Sequence, residues 1–198
     1  MIFQAMELIR QNLNAFLVGP GNPDIVLLGN IAFATPDNPN TPLVDEGAQV
    51  LMSMVNIEEE ATLRNLSAVR QSEIRPLAYV NPPMTINLYL LFSATHRDYS
   101  TAIQILSSIL HFFQGNRTFS IARTPVPAAG VFATPGEDEN NIKVTLDLMS
   151  LTFEQVNHLW GSLGGKQAPF LLFKARQVEI DTERMFQGGG HITEIQVN

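Results

Sequence analysis

The chain has 198 residues, 45% of them hydrophobic and 16% charged, with a formal net charge of −7. It contains no cysteine, which excludes disulfides, thiolate metal sites and cysteine nucleophiles. It also has no basic block and no long apolar run, so nucleic acid and membrane are not expected as partners. The length favours a single domain over residues 1–198. The charged share is below the usual ~25%, which favours a surface partly covered by partners.

The N-terminal segment, residues 2–17, has the spacing of an amphipathic helix, with apolar side chains at steps of three and four. Glu7 and Arg10 interrupt its apolar residues, and it lacks the basic start of a signal peptide. We therefore expect a protein that is made soluble and is not exported by the signal-peptide route.

The next segments read as strands separated by polar or irregular stretches. Residues 25–33 and 48–57 are strongly apolar, and the second is apolar on both faces, as in a central strand. Residues 84–95 alternate, with apolar side chains on one face and mainly polar ones on the other. Residues 58–82 have no clear period, which predicts a long excursion between strands.

The second half begins with a predicted helix over residues 99–114, capped by Asp98 or Ser100 and ended near Gly115. Further strands are predicted, and residues 124–141 form a long loop rich in Pro and Gly with an acidic tip. The predicted strands cover residues 117–123, 142–152, 169–180 and 191–198. The order predicts an α+β fold, a mostly antiparallel sheet with the two long helices packed on one face.

Residues 150–176 contain a Gly-Gly-Lys sequence that invites comparison with a phosphate-binding loop. Such a loop needs an earlier Gly where this chain has Trp160, and a Ser or Thr where it has Gln167. Its order is also strand, loop, helix, whereas this segment leaves a helix and enters a strand. Lys166 is therefore not expected to bind phosphate.

The same segment is better explained as a capped helix, a glycine turn and a strand. Thr152 and Gln155 have the spacing of a capping box. One apolar face is predicted to consist of Phe153, Val156, Leu159 and Trp160. Gly161 suits the end of the helix, and Gly164 and Gly165 suit the turn that follows.

The four histidines, His96, His111, His158 and His191, are scattered without metal-ligand spacing. His158 lies near the predicted end of the short helix. There a histidine commonly interacts with the helix dipole or caps a carbonyl, although a catalytic or metal-binding role remains an alternative.

Three consecutive carboxylates, Glu58, Glu59 and Glu60, follow a buried strand, with Arg64 shortly after them. The simplest interpretation is a solvated edge or an ion pair with Arg64. A docking surface for another subunit is the second interpretation. An acid and base pair is the third, but neighbours on an extended chain point to opposite faces.

Several stretches occur in the same order in one known family: "VLLGNIA", "VLMSMVNIEEEATLRN", "INLYLLFSA" and above all "SLTFEQVNHLWGSLGGKQAPFLLFKARQVEI". The sequence resembles the tail-terminator or cap proteins of contractile injection systems. These are phage-tail-like particles of the antifeeding-prophage and virulence-cassette type. The resemblance spans nearly the whole chain except residues 124–141.

This resemblance implies a structural protein with the tail-terminator α+β fold, without enzymatic activity or cofactor. It implies a ring, expected to be a hexamer, that ends the inner tube and anchors the last sheath ring. Assembly is expected in the cytoplasm, in a particle that is released or stays inside the cell. A baseplate or tube adaptor is the alternative, and a small hydrolase the rival class. The candidate partner-binding residues are Glu58, Glu59, Glu60, Arg64, His158, Trp160 and Lys166.

Overall fold

The computed structural model describes residues 2–19, 22–34, 49–60, 69–70, 78–80, 84–120, 143–180 and 185–188, of which 69–70, 78–80, 177–180 and 185–188 are described by their backbone alone. Three α-helices occur in these ranges: α1 (Ile2–Leu17), α2 (Tyr99–Gly115) and α3 (Phe153–Ser162). A 3-10 turn spans Ile31–Phe33. The strands are β1 (Val26–Leu28), β2 (Val50–Glu59), β3 (Val69–Arg70), β4 (Ala78–Val80), β5 (Met84–Ala94), β6 (Thr118–Ser120), β7 (Lys143–Leu148), β8 (Phe170–Ile180) and β9 (Met185–Gly188). None of the described helices is long and apolar enough to cross a membrane.

The main sheet has six strands in the order β1-β2-β5-β8-β7-β6. β1 pairs with β2 in parallel, and every other pair in this sheet is antiparallel. A second sheet has the order β3-β4-β9 and is antiparallel. The predicted α+β class and the mostly antiparallel sheet are confirmed.

Both long helices cover the same face of the main sheet, as predicted. Their buried side chains share one cluster with the inward residues of the strands. Helix α1 contributes Leu8 and Ile9, α2 contributes Leu106 and Ile109, and Phe92 lies at the centre of the sheet side. The long apolar stripe of each helix therefore packs on the sheet and leaves its opposite side exposed.

The opposite face of the sheet is also buried. Helix α3 and the 3-10 turn cover it and bury Ile31, Leu51, Leu91, Trp160 and Leu172 in a second cluster. Alternation along a strand separates the clusters: Phe92 faces the first and Leu91 the second. The polar face predicted for β5 is buried too, because Asn87 and Ser93 are almost fully covered.

Helix α1 is joined to β1 by a buried asparagine. The Asn14 Oδ1 atom accepts from the backbone nitrogens of Ile25 and Val26 at 3.1 and 3.0 Å. Its Nδ2 donates to the Val26 carbonyl at 2.9 Å. One side chain thus satisfies three backbone groups where the short strand begins, and each would be costly to bury unpaired.

Helix α2 begins as the sequence predicts. Of the two candidate caps, Asp98 is the one used: its Oδ2 accepts from the Thr101 backbone nitrogen at 2.8 Å. The helix extends one residue beyond the predicted end, to Gly115, and Asn116 takes the C-cap position. The bonds from Thr101 lower the pKa of Asp98, because they stabilise its ionised form.

Helix α3 has the predicted capping box, with Gln155 N donating to Thr152 Oγ1 at 3.3 Å and Thr152 N to Gln155 Oε1 at 2.9 Å. The predicted apolar face is wrong at one position, because Phe153 is 95% exposed. Phe153 is the first residue of α3. Gly161 is also not the helix end; Gly164 and Gly165 adopt the positive φ angles of 100° and 78°.

Replacing Thr152 by Ala is expected to lower the free energy of unfolding by about 1 kcal/mol. The Gln155 backbone N–H loses its acceptor, and the bond from Thr152 N to the Gln155 side chain loses the reciprocal bond that supports it. Chemical denaturation measures this. Thr152→Ser should retain stability, since the hydroxyl remains. Asn157→Ala, an exposed change inside the same helix, should cause no loss. Equal losses for Ala and Ser at position 152 would contradict the assignment.

The predicted strand over residues 25–33 is shorter than expected. It ends at Leu28 and gives way to the 3-10 turn. A Cβ atom on Gly29 would lie 2.8 Å from a methyl group of Leu51, so a side chain there would require the Leu51 side chain to shift. Asn30 then starts the turn by accepting from Ala32 N at 3.0 Å, and Ser53 Oγ donates to the Gly29 carbonyl at 2.6 Å.

Other strand boundaries differ by a few residues. β2 extends to Glu59, two residues further than predicted, with an irregularity between Met54 and Asn56. β7 ends at Leu148, not residue 152, because residues 149–152 lead into the helix cap. β3, β4 and β9 lie where no strand was predicted, the first two within the stretch 58–82 that was predicted as a long excursion. The loop at 124–141 and the predicted strand at 191–198 lie outside the described residues.

Candidate partner-binding surface

Glu58, at the end of β2, is held by two side chains from other strands. Its Oε2 atom accepts from the Tyr89 hydroxyl on β5 and from Lys174 Nζ on β8, the latter at 3.0 Å. The Lys174 ammonium also lies 5.3 Å from the centre of the Tyr89 ring. A carboxylate, a phenol and an ammonium thus form one cluster across three strands, which we call the Glu58 cluster.

Strand register brings these three residues together. Tyr89 lies directly opposite Lys174, and Glu58 lies opposite Asn87, two residues from Tyr89. Residues two apart on one strand share a face, so Glu58 reaches Tyr89 diagonally. The charge pattern indicated Glu58 but not Tyr89 or Lys174, and only alternation along β5 indicated that Tyr89 faces away from the long helices.

The contacts lower one pKa value, that of Glu58, and raise two, those of Tyr89 and Lys174. The pKa of Glu58 is lowered, first by the bond from Tyr89 and then by Lys174. The pKa of Tyr89 is raised, because losing its proton would break the bond to Glu58. The pKa of Lys174 is raised by its bond to Glu58. The cluster therefore favours a charged carboxylate, a neutral phenol and a charged ammonium.

Glu58→Gln is expected to lower stability near neutral pH and to have less effect in acid. Because the folded pKa of Glu58 is lowered, its contribution is present above its unfolded pKa. That contribution is lost as pH falls through the folded value. Denaturation of wild type and variant at pH 7 and pH 3 measures this. A difference that persisted unchanged at pH 3 would contradict the ionic role.

The other two carboxylates of the run, Glu59 and Glu60, occupy different positions. Glu60 Oε2 accepts from Asn87 Nδ2 at 2.8 Å, and Glu59 lies opposite Ile86 in the sheet register. Arg64, the predicted ion-pair partner, lies outside the described residues. Glu58 forms an ion pair with Lys174, which lies far from it in the sequence.

The remaining candidates lie on or beside α3. Trp160 is 4% exposed and packs edge-on against Phe170 with ring centres 5.5 Å apart, so it lies in the second cluster. Its indole nitrogen has no hydrogen-bond acceptor among the described residues. His158 and Lys166 are exposed.

Trp160 of α3 and the Glu58 cluster lie on the same side of the main sheet. Phe170, Leu172 and Lys174 alternate on β8 and therefore share this face, and the second cluster includes Tyr89 at its margin. Phe170 and Lys174 lie four residues apart, roughly 13 Å along a strand. The structure thus places most predicted partner-binding residues on the α3 side of the sheet, without bringing them into one contact.

The arrangement of the Glu58 cluster suits an ion pair better than acid and base catalysis. A general acid or base at neutral pH needs a pKa near 7, whereas the pKa of Glu58 is shifted in the opposite direction. No group of three or more histidines and carboxylates that could hold a metal ion occurs in the part of the chain that the structure describes.

The fold is shared with two solved structures. One is an extracellular contractile injection system, the PVC sheath/tube terminator in the extended state, with 16% identity and a TM-score of 0.60. The other is the tube terminating cap of the anti-feeding prophage, with 15% identity and a TM-score of 0.64. Both alignments cover 100% of this chain and 61% and 60% of the other chains. The chain thus spans about 60% of the length of these proteins.

The sequence comparisons are consistent with this fold. A comparison with curated proteins found no match. The model of the Pvc16 N-terminal domain family matches residues 5–194. That match covers nearly the whole sequence and confirms the family resemblance inferred from the residues. The chain belongs to the Pvc16 N-terminal domain family.

Proposed function

We propose that the chain is a structural cap, or tail terminator, of a phage-tail-like contractile injection system. The observation that carries this is the family match over residues 5–194. It is supported by a fold shared along the whole chain with a sheath/tube terminator and a tube terminating cap. In this role the chain acts as one domain and binds the inner tube and the sheath, without catalysing a reaction.

The proposed assembly is a ring of six copies that ends the inner tube and anchors the last sheath ring. A closed ring of identical subunits needs two different, complementary surfaces on each subunit. The large exposed side chains of this chain support such an arrangement, since Phe153, Tyr99 and Phe33 are mostly exposed. Assembly takes place in the cytoplasm, and the finished particle is released or remains inside the cell.

The Glu58 run is proposed as part of the docking surface for another subunit. Glu58 is half exposed although it pairs with Lys174, so its carboxylate remains accessible to a partner. Replacing Glu58, Glu59 and Glu60 by Gln should weaken assembly. Unchanged ring formation and tube binding would contradict this part of the proposal.

The capping function is tested by adding labelled protein to the tube protein of the same particle as it polymerises. We expect label at one end of each tube in electron micrographs, and shorter tubes as the proportion of cap rises. Label along the tube sides, or at the ends of baseplates only, would support an adaptor instead. Absence of any tube binding would overturn the proposed function.

A further inference from the structure

Helix α2 has an exposed side without charge. From Tyr99 to Gly115 its sequence contains no Asp, Glu, Lys or Arg. Helix α1, which packs on the same face of the sheet, instead carries the partly exposed ion pair of Glu7 and Arg10. Depletion of charge is a mark of the central part of protein interfaces.

The same side of α2 exposes a row of large apolar residues. Tyr99 is 69% exposed, Ile103 40% and Leu110 41%. Their spacing of four and seven residues places them along one line of the helix. Seventeen residues make α2 about 25 Å long, so the row offers a straight ridge. We call it the α2 stripe: Tyr99, Ile103 and Leu110.

On the other side of the sheet, α3 carries a second exposed row with a different shape. Phe153, Asn157 and Gly161 lie four residues apart and are all exposed. Phe153 projects, and the capping box holds the first turn that carries it. We call this row the α3 row.

Among the described residues, no contact and no backbone angle requires glycine at position 161. Gly161 lies inside the helix with an ordinary helical φ, and nothing lies within 4 Å of the place where a Cβ atom would stand. Glycine disfavours a helix relative to alanine. A small residue on an exposed helix surface allows another helix to approach closely.

We infer that the α2 stripe of one copy docks against the α3 row of the next copy, an inference that rests on the proposed ring. The two surfaces lie on opposite sides of the same sheet, and a head-to-tail contact needs two different surfaces on each subunit. They also match in chemistry: neither row contains a charged residue. Phe153 is the projecting part, and Gly161 leaves the space in which the ridge of α2 lies.

The inference predicts how two defective variants behave when they are mixed. Ile103→Lys with Leu110→Lys disables the α2 stripe, and Phe153→Asp disables the α3 row. Each variant alone should stay monomeric at concentrations at which wild type assembles. Their equimolar mixture should stop at dimers of twice the 21.9 kDa chain mass, because one intact surface remains on each copy. Mass photometry and sedimentation measure the species.

Further variants separate docking from folding. Ser108→Lys places one lysine on α2 about 140° around the helix from Ile103, and it should assemble as wild type does, whereas Ile103→Lys alone should weaken assembly. Gly161→Leu fills open space at a helical position, so its melting temperature should be unchanged or higher while its assembly falls at least tenfold. A melting temperature that fell together with assembly would count as misfolding and overturn the inference for Gly161.

The outcomes distinguish this inference from the ring itself. If wild type assembles and the variants of both surfaces assemble equally well, the docking inference is overturned and the ring stands. If each variant is monomeric and the mixture also stays monomeric, the two surfaces do not bind each other and the inference is overturned. If wild type is itself monomeric at every concentration, the proposed ring fails, and the inference fails with it.

Discussion

Phe92→Ala is expected to lower the free energy of unfolding by about 4 kcal/mol, within the range of buried Phe to Ala changes. Phe92 is fully buried on the central strand β5. Its ring centre lies 5.4 Å from that of Phe113 on α2 and 5.7 Å from that of Phe173 on β8. Removing it leaves a cavity where one helix and two strands meet, which such a packed site cannot fill by small shifts.

Chemical denaturation measures this loss, and the chain offers a matched control. Phe153→Ala makes the same chemical change at a side chain that is 95% exposed, so it should change the free energy of unfolding by less than about 0.5 kcal/mol. Equal losses for the two variants would contradict the assignment of Phe92 to the core. Loss at Phe153 alone would contradict the exposed position of that residue.

Asn14→Leu is expected to lower the free energy of unfolding by about 3 kcal/mol, because each buried group left unpaired costs about 1–3 kcal/mol. The change has a similar volume but abolishes the bonds to Ile25 N, Val26 N and Val26 O. These groups start β1, the edge strand that joins α1 to the sheet. We therefore expect local loosening of β1 before the rest of the sheet unfolds.

Amide hydrogen exchange tests the second half of this prediction, since Gly29 N donates to Met52 O at 3.2 Å and should lose protection. Asn12→Leu is the control on the same helix: its amide donates to the Leu8 carbonyl at 2.7 Å, a group that already has its helical partner. Exchange that is unchanged in the Asn14 variant would contradict the role of Asn14 in holding β1.

Helix bounds were predicted well because their signals are local. The spacing of apolar residues marked α1, and Asp98 marked the start of α2. Thr152 and Gln155 marked the start of α3. Each signal acts within one or two turns of its own helix, so a window of about ten residues contains what decides it.

The candidate site was predicted less fully than the helices. The sequence indicated Glu58 as a charged position after a buried strand, but its partner Lys174 lies 116 residues away. Tyr89 joins them because the register of β2, β5 and β8 aligns the three positions. A register shift of one residue would turn these side chains to the other face, and no local pattern specifies that register.

Burial along α3 also depends on contacts between distant segments and not on local spacing. Phe153 and Trp160 belong to one apolar face by spacing, yet the first is exposed and the second packs on Phe170. The sequence by itself determined the α+β class, the two long helices, the cap of α3 and the family. Tertiary structure alone decided which apolar residues are covered, where β1 ends against Leu51, and what Glu58 binds. These depend on contacts between distant segments, and local propensity carries no information about them.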